Sequence, residues 1–103
     1  MKHMRVATYE ITTGTFDEIA QQAKGELLPK FQESPGFIRY GVADVGEKTL
    51  MSFSLWESRE QASAASSLAE TWVRETLADK VKLQKNWVGD IAFLVDAKDA
   101  VKV

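Results

Sequence analysis

The sequence of 103 residues has the length of a single domain, with 45% hydrophobic and 27% charged residues, an ordinary globular composition. A net charge of -2 and the lack of a basic stripe interleaved with aromatic residues argue against nucleic-acid binding. The absence of cysteine excludes disulfides, thiolate nucleophiles and cysteine-bound metals. The sequence contains no apolar stretch of about 18 residues, so no membrane span is predicted. No apolar signal region precedes the first predicted strand, so we expect a cytoplasmic protein.

The predicted elements follow the order strand, helix, strand, strand, helix, strand. Strands are predicted where apolar residues alternate with polar ones or form short apolar runs, and helices where apolar residues recur at spacings of three and four. Each helix starts at a capping box, formed by Thr15 with Glu18 and by Ser58 with Gln61. Pro29 should kink the first helix near its end, because proline has no backbone N–H. The predicted strands are residues 5–12, 37–45, 49–56 and 86–95, and the predicted helices are residues 15–33 and 58–81.

Two helices returning to a four-stranded antiparallel sheet predict an α+β, ferredoxin-like βαββαβ fold. One such domain spans residues 1–103, with a frayed tail from about residue 98. The helices cover one face of the sheet, yet the predicted third and fourth strands carry apolar residues on both faces. Since a solvated face should be mostly polar, we expect a homodimer formed through this face. The expected contacts are Met51, Phe53 or Leu55 with Phe93 or its neighbours.

Two short motifs connect this pattern to a known family. Pro35-Gly36-Phe37 opens the second strand, and Ser54-Leu55-Trp56-Glu57-Ser58 closes the third and leads through Gln61-Ala62 into the second helix. In these motifs, and in element order and length over nearly the whole chain, the sequence resembles the antibiotic biosynthesis monooxygenase family of dimeric α+β barrels. That superfamily includes cofactor-free oxygenases of aromatic polyketides and quinols, heme-degrading enzymes, an isomerase and proteins of unknown role. The fold alone does not choose among them.

The resemblance implies positions for the functional groups of two subfamilies. In the polyketide oxygenases, an asparagine precedes the strand-ending tryptophan by four residues, and a tyrosine lies early in the next helix. The tryptophan corresponds to Trp56, whereas Ser52 stands at the asparagine position and Ala62-Ser63 at the tyrosine position. In the heme-degrading members, an asparagine on the first strand and a histidine on the second helix handle the heme. The first position falls near Ala7, and the second helix has no histidine, which argues against heme degradation.

A ligand site is predicted between the helices and one face of the sheet. Alternation places Ser52, Ser54 and Trp56 on one face of their strand, and the resemblance turns that face toward the helices. The small residues would leave a cavity, the indole would stack on a planar ligand and a tyrosine would handle a proton. Core packing is the competing interpretation for each group. The predicted catalytic residues are Trp56, Tyr9 and Ser52, and the predicted substrate-binding residues are Ser54, Tyr40, Ala7 and Trp72.

The favoured function is therefore a cofactor-independent monooxygenase of a small planar phenol or quinol. The alternatives are a ligand-binding protein or isomerase of the same fold, and a stress-related dimeric module without catalysis. An open cleft of a few hundred cubic ångströms would favour the first two, and a pocket filled by its own side chains the third. No cofactor or metal is expected: the glycines match no nucleotide-binding motif. The single histidine, His3, is expected at the surface and cannot form a multi-histidine site.

Overall fold

The computed structural model describes residues 1–98, so nearly all of the predicted tail lies outside the described residues. Four antiparallel strands form one sheet in the order β2-β3-β1-β4, with the helical segments in βαββαβ sequence. The predicted α+β, ferredoxin-like arrangement is confirmed. The elements are β1 (His3–Ile11), α1 (Phe16–Gln22), a π-helical turn (Ala23–Leu27), α2 (Leu28–Gln32), β2 (Phe37–Asp44), β3 (Thr49–Trp56), α3 (Arg59–Thr76) and β4 (Val81–Asp90).

Both helical segments begin at the predicted caps. The Thr15 hydroxyl accepts a hydrogen bond from the Glu18 backbone N–H at 3.2 Å, and the Ser58 hydroxyl accepts one from the Gln61 N–H at 3.3 Å. Each hydroxyl satisfies a backbone donor that has no partner within its own helix. These local bonds fix where α1 and α3 start relative to the strands before them.

The first helical segment contains a wide turn directly before Pro29. The Leu28 N–H bonds to the Ala23 carbonyl, five residues back, instead of four. Pro29 lies in the first turn of α2, where its missing N–H is tolerated. The disturbance predicted at this proline is thus a π-helical turn, and this turn places Glu26 opposite α3.

The fourth strand was predicted in the wrong place. Residues 86–95 were expected, whereas β4 spans Val81–Asp90, and α3 ends at Thr76 instead of continuing to residue 81. β4 is an edge strand beside β1, and every residue after Val81 in it is exposed. Its sequence therefore lacks the apolar alternation of a buried strand. The apolar run that suggested a strand lies beyond it, and Phe93 is 83% exposed outside the sheet.

The inner face of the sheet packs against the helices. Arg5 lies opposite Ser54, and Ala7 opposite Ser52, across the central pair of strands. Three buried alanines let α3 approach this face closely. His3, expected at the surface, is buried at the end of the same face and contacts the Asp90 carboxylate. The three buried alanines that allow this close approach of α3 are Ala62, Ala65 and Ala69.

The outer face carries an apolar row across all four strands. Gly41, Phe53, Val6 and Trp87 are paired neighbours from β2 to β4, and Trp87 is 50% exposed. Residues 91–98 run back toward β2, where the Asp96 carboxylate meets the Arg39 guanidinium at 3.5 Å. No helix within residues 1–98 has both the length and the apolar character to cross a membrane.

Candidate functional site

A small cavity lies between the inner face of the sheet, the first helical segment and α3. Its volume is about 20 Å³, room for about one water molecule. Five of its lining residues carry polar atoms: Arg5, Tyr9, Tyr40, Ser52 and Trp72. The rest of the wall is apolar and consists of Ile19, Ala23, Leu27, Val42, Leu50, Val73, Leu77 and Val81.

Arg5 is the most unusual group in this cavity, because it is a cation buried at 1% exposure. Its Nη1 donates to the Ser52 hydroxyl at 3.3 Å, and its buried Nε has no hydrogen-bond partner among residues 1–98. The guanidinium carbon lies 5.8 Å from the centre of the Phe31 ring. Within the described residues no carboxylate forms an ion pair with Arg5, and Glu70 favours its charged form only from a longer distance. Burial lowers the pKa of Arg5, because a low-dielectric site disfavours the cation.

Two phenol groups share the cavity with Arg5. The Tyr9 hydroxyl is buried beside the Arg5 guanidinium and makes no hydrogen bond of standard geometry among residues 1–98. Burial raises the pKa of Tyr9 and of Tyr40, and the nearby Arg5 cation only partly offsets this effect. Both phenols are therefore neutral at pH 7 and can donate a hydrogen bond to an anion beside Arg5.

The raised pKa of Tyr9 predicts a loss of stability in alkali. Tyrosine in the unfolded chain ionises near pH 10, about its ordinary pKa, whereas folded Tyr9 holds its proton to higher pH. The stability that this proton contributes is complete below the unfolded pKa and is lost as pH rises through the folded pKa. Urea unfolding at about pH 8 and about pH 11, on either side of the tyrosine pKa, should show a smaller loss in Tyr9→Phe than in wild type. Equal losses would contradict this expectation.

Trp72 closes the cavity toward the first helical segment. Its indole Nε1 donates to the Glu26 carboxylate at 3.1 Å, which ties α3 to the π-helical turn. The hydrogen bond satisfies the polar end of an otherwise buried ring. Trp72 thus lines the cavity, as the predicted substrate-binding role requires.

Trp56 lies on the same face of the sheet but does not line the cavity. It is fully buried, with its ring centre 5.3 Å from that of Phe31 and 5.4 Å from that of Phe37, both at steep angles. Its indole N–H donates to the Ser54 hydroxyl at 2.8 Å. Ser54 and Ala7 are buried as well and also lie outside the lining. The predicted site residues therefore divide into a cavity group and a packed group behind it.

Comparison with solved structures identifies the fold. SnoaB from Streptomyces nogalater, described as a cofactor-independent oxygenase, matches 91% of this chain and 96% of its own with a TM-score of 0.69 at 10% identity. A protein from Nitrosomonas europaea assigned to the antibiotic biosynthesis monooxygenases matches 89% of this chain and 91% of its own, with a TM-score of 0.66 at 18% identity. The chain has the fold of the antibiotic biosynthesis monooxygenases.

A third similar structure bears on assembly. A protein from an uncultured marine organism, described as dimeric and ferredoxin-like, matches 93% of this chain and 99% of its own, with a TM-score of 0.67 at 15% identity. No protein-family model matches the chain, and no curated protein matches it. The solved structures confirm the predicted resemblance as a likeness of fold.

Arg5 is the group at this site that the sequence analysis missed. The alternation of the first strand places residue 5 on the same face as Ala7 and Tyr9, and that face was already expected to meet the helices. A charged residue at an inward-facing position of a strand is rare unless it is paired or used. That signal was present in the sequence.

Among residues 1–98, no cluster of three or more histidine or acidic side chains could hold a metal ion.

Proposed function

We propose that this chain is a cofactor-independent monooxygenase that binds a small planar phenol or quinol as its anion beside Arg5. The observation that carries the proposal is a buried guanidinium that forms no ion pair with any carboxylate of residues 1–98. An uncompensated buried cation is costly, and an anionic ligand would remove that cost. The similarity in fold to SnoaB, described as a cofactor-independent oxygenase, supports the choice of reaction.

The reaction makes few demands on the protein. An electron-rich phenolate can transfer electrons to oxygen directly. In a phenol with hydrogen on the carbon para to the anion, that carbon gains one oxygen atom, the second leaves as water and the ring becomes a quinone. In a quinol the para carbon already carries oxygen, so the free ring carbon beside the anion is oxygenated instead, which gives a hydroxyquinone and water. The substrate supplies all the electrons. Arg5 stabilises the anion, Tyr9 and Tyr40 donate hydrogen bonds, and Ser52 holds the guanidinium. Trp56 and Ser54 act from behind the cavity by fixing the end of β3.

The test is oxygen uptake with a panel of planar phenols and quinols, such as α-naphthol, menadiol and anthrone. We expect uptake faster than in protein-free buffer, with one oxygen consumed per molecule of quinone formed. Catalase should return no more oxygen than it does from the protein-free reaction, because the second oxygen atom of the catalysed reaction becomes water and not peroxide. Uptake equal to the protein-free rate for every compound would overturn the proposal.

One observation favours the alternative of a dimeric module without catalysis. The enclosed volume is only about 20 Å³, well below the roughly 300–1,000 Å³ of ligand pockets. A filled cavity was the feature expected of that alternative. A non-catalytic binding protein or isomerase would use the same Arg5 site and would bind the phenols without consuming oxygen.

We also propose a homodimer formed through the outer face of the sheet. Phe53 and Val6 are only partly covered in the single chain, and Trp87 is half exposed beside them. A second copy of this face, related by a two-fold axis, is the simplest cover. Phe93 was expected in this contact as part of a strand, but it lies beyond β4, and Leu55 is already buried within the chain. Phe53 and Trp87 are therefore the central contacts in the proposed dimer.

Phe53→Asp should convert the dimer to a monomer. In the dimer the carboxylate would be buried without a partner, whereas in the monomer it could stay hydrated. Sedimentation velocity at micromolar concentration measures the change, with Ser63→Asp, an exposed position on α3, as the control of equal charge. A monomeric wild type would overturn the proposed dimer, and so would a folded Phe53→Asp variant that remains dimeric.

A further inference from the structure

An open cleft between α3 and β4 lies directly outside the cavity. Its volume is about 380 Å³, compared with about 20 Å³ inside. Three residues, Tyr9, Val73 and Val81, line both spaces. A planar phenol is too large for a space that holds about one water molecule, whereas the cleft lies within the usual range for ligand pockets. The two spaces together have room for a ligand that the inner one alone cannot hold.

Tyr9 is the wall between the two spaces. It lines both the cleft and the Arg5 cavity, and its buried hydroxyl lies beside the Arg5 guanidinium without a hydrogen bond of standard geometry among residues 1–98. The pairing between β1 and β4 shifts at this point: Thr8 faces Lys85, and Tyr9 faces Leu83. The extra residue makes a β-bulge in β4 beside Tyr9. Bulges bend a strand locally and are over-represented next to active sites.

We propose that the α3–β4 cleft is the outer half of the substrate site. The aromatic ring lies in the cleft against Val73 and Val81, and its oxygen anion passes Tyr9 to reach Arg5. Glu70 and Arg74 border the same cleft, so their side chains can hydrogen-bond to polar substituents on the ring. This inference rests on the proposed function.

The other open clefts beside the cavity are less suited to this role. The cleft near Lys30 shares only Trp72 with the cavity, and the Trp72–Glu26 hydrogen bond closes that route. The cleft near Lys24 shares Tyr40 and Val42 with the cavity, and no unpartnered polar atom of the described residues stands at that boundary. The cleft at Tyr9 has the larger shared wall and the unpartnered hydroxyl.

Ala78→Phe tests the inference, because Ala78 lines the cleft but not the cavity and is exposed. The matched control is Ala64→Phe, which is exposed on α3 and lines neither space. Titration calorimetry with β-naphthol should give a dissociation constant about tenfold higher for Ala78→Phe, the scale of one misfitting group in a pocket. The control should stay within about twofold of wild type. Thermal unfolding confirms that both variants are folded.

The outcomes separate this inference from the proposed function. If Ala78→Phe binds β-naphthol like wild type while Arg5→Met does not, the ligand reaches Arg5 by another route and the cleft inference is overturned alone. If binding depends on Ala78 but no phenol of the panel drives oxygen uptake, the cleft inference stands and the oxygenase proposal fails. If wild type binds neither β-naphthol nor any phenol of the panel, both are overturned.

Discussion

Replacing Arg5 by methionine should lower the rate of oxygen uptake by about 100- to 1,000-fold, the usual effect of removing one donor that stabilises an oxyanion. The same substitution should raise the free energy of unfolding by about 1–4 kcal/mol, as when apolar residues replace buried charges. The physical reason is common to both effects. The guanidinium is held out of water, and in the part of the chain that the structure describes it forms no ion pair with a carboxylate. The cost of burying this cation is offset only when an anion binds.

Urea unfolding and oxygen uptake, measured on the same samples, test the two effects together. Arg59→Met is the matched control, because Arg59 is exposed at the start of α3 and outside the cavity. Arg5→Lys keeps the charge but loses the planar donor geometry, so it should recover part of the rate. A less stable Arg5→Met protein would mean that Arg5 is a structural residue that supports the fold through Ser52.

Trp56→Ala should lower the free energy of unfolding by about 3–5 kcal/mol, the range for removing a large buried aromatic side chain. The indole is completely buried against Phe31 and Phe37, and its loss would leave the Ser54 hydroxyl without its donor. A small domain has only about 5–15 kcal/mol of total stability. The variant should therefore unfold at a much lower urea concentration, and its folded fraction at room temperature should be measurable by circular dichroism.

Trp56→Phe separates packing from ligand contact at this position. It keeps an aromatic ring in the core and removes only part of the volume, so the protein should stay folded. Because Trp56 does not line the cavity, this variant should bind β-naphthol like wild type. A loss of binding in a folded Trp56→Phe protein would instead support the stacking role that the sequence predicted.

The elements that the sequence located well are those with strong local signals. Thr15 and Ser58 cap their helices where expected, because a capping hydroxyl and the backbone N–H that donates to it are set within four residues. β3 has the predicted bounds, Thr49–Trp56, because it is central and buried. β4 was displaced because an exposed edge strand needs few apolar residues, and its pairing with β1 is a long-range contact that periodicity does not encode.

The candidate site was predictable as a face but not as a cavity. Alternation placed Tyr9 and Ser52 on the inner face, where they line the cavity as predicted for a site. The alternation could not show that the Ser54 hydroxyl accepts a hydrogen bond from the indole N–H of Trp56, two residues away on the same strand. The angle at which the helices cross the sheet decides which side chains of a face enclose a cavity. No local sequence pattern specifies that angle.

The contact between Gly41 and Phe53 on the outer face has a consequence for how this sequence can diverge. A Cβ atom at residue 41 would lie 2.3 Å from the Phe53 Cζ atom, closer than non-bonded carbons approach. Position 41 therefore accepts a side chain only if the Phe53 ring moves aside or position 53 has become smaller. Among homologues we expect the two positions to covary, with glycine opposite the aromatic ring and larger residues opposite short ones. The order of substitution is constrained as well. A variant with large side chains at both 41 and 53 should be destabilised, so we expect position 53 to change first.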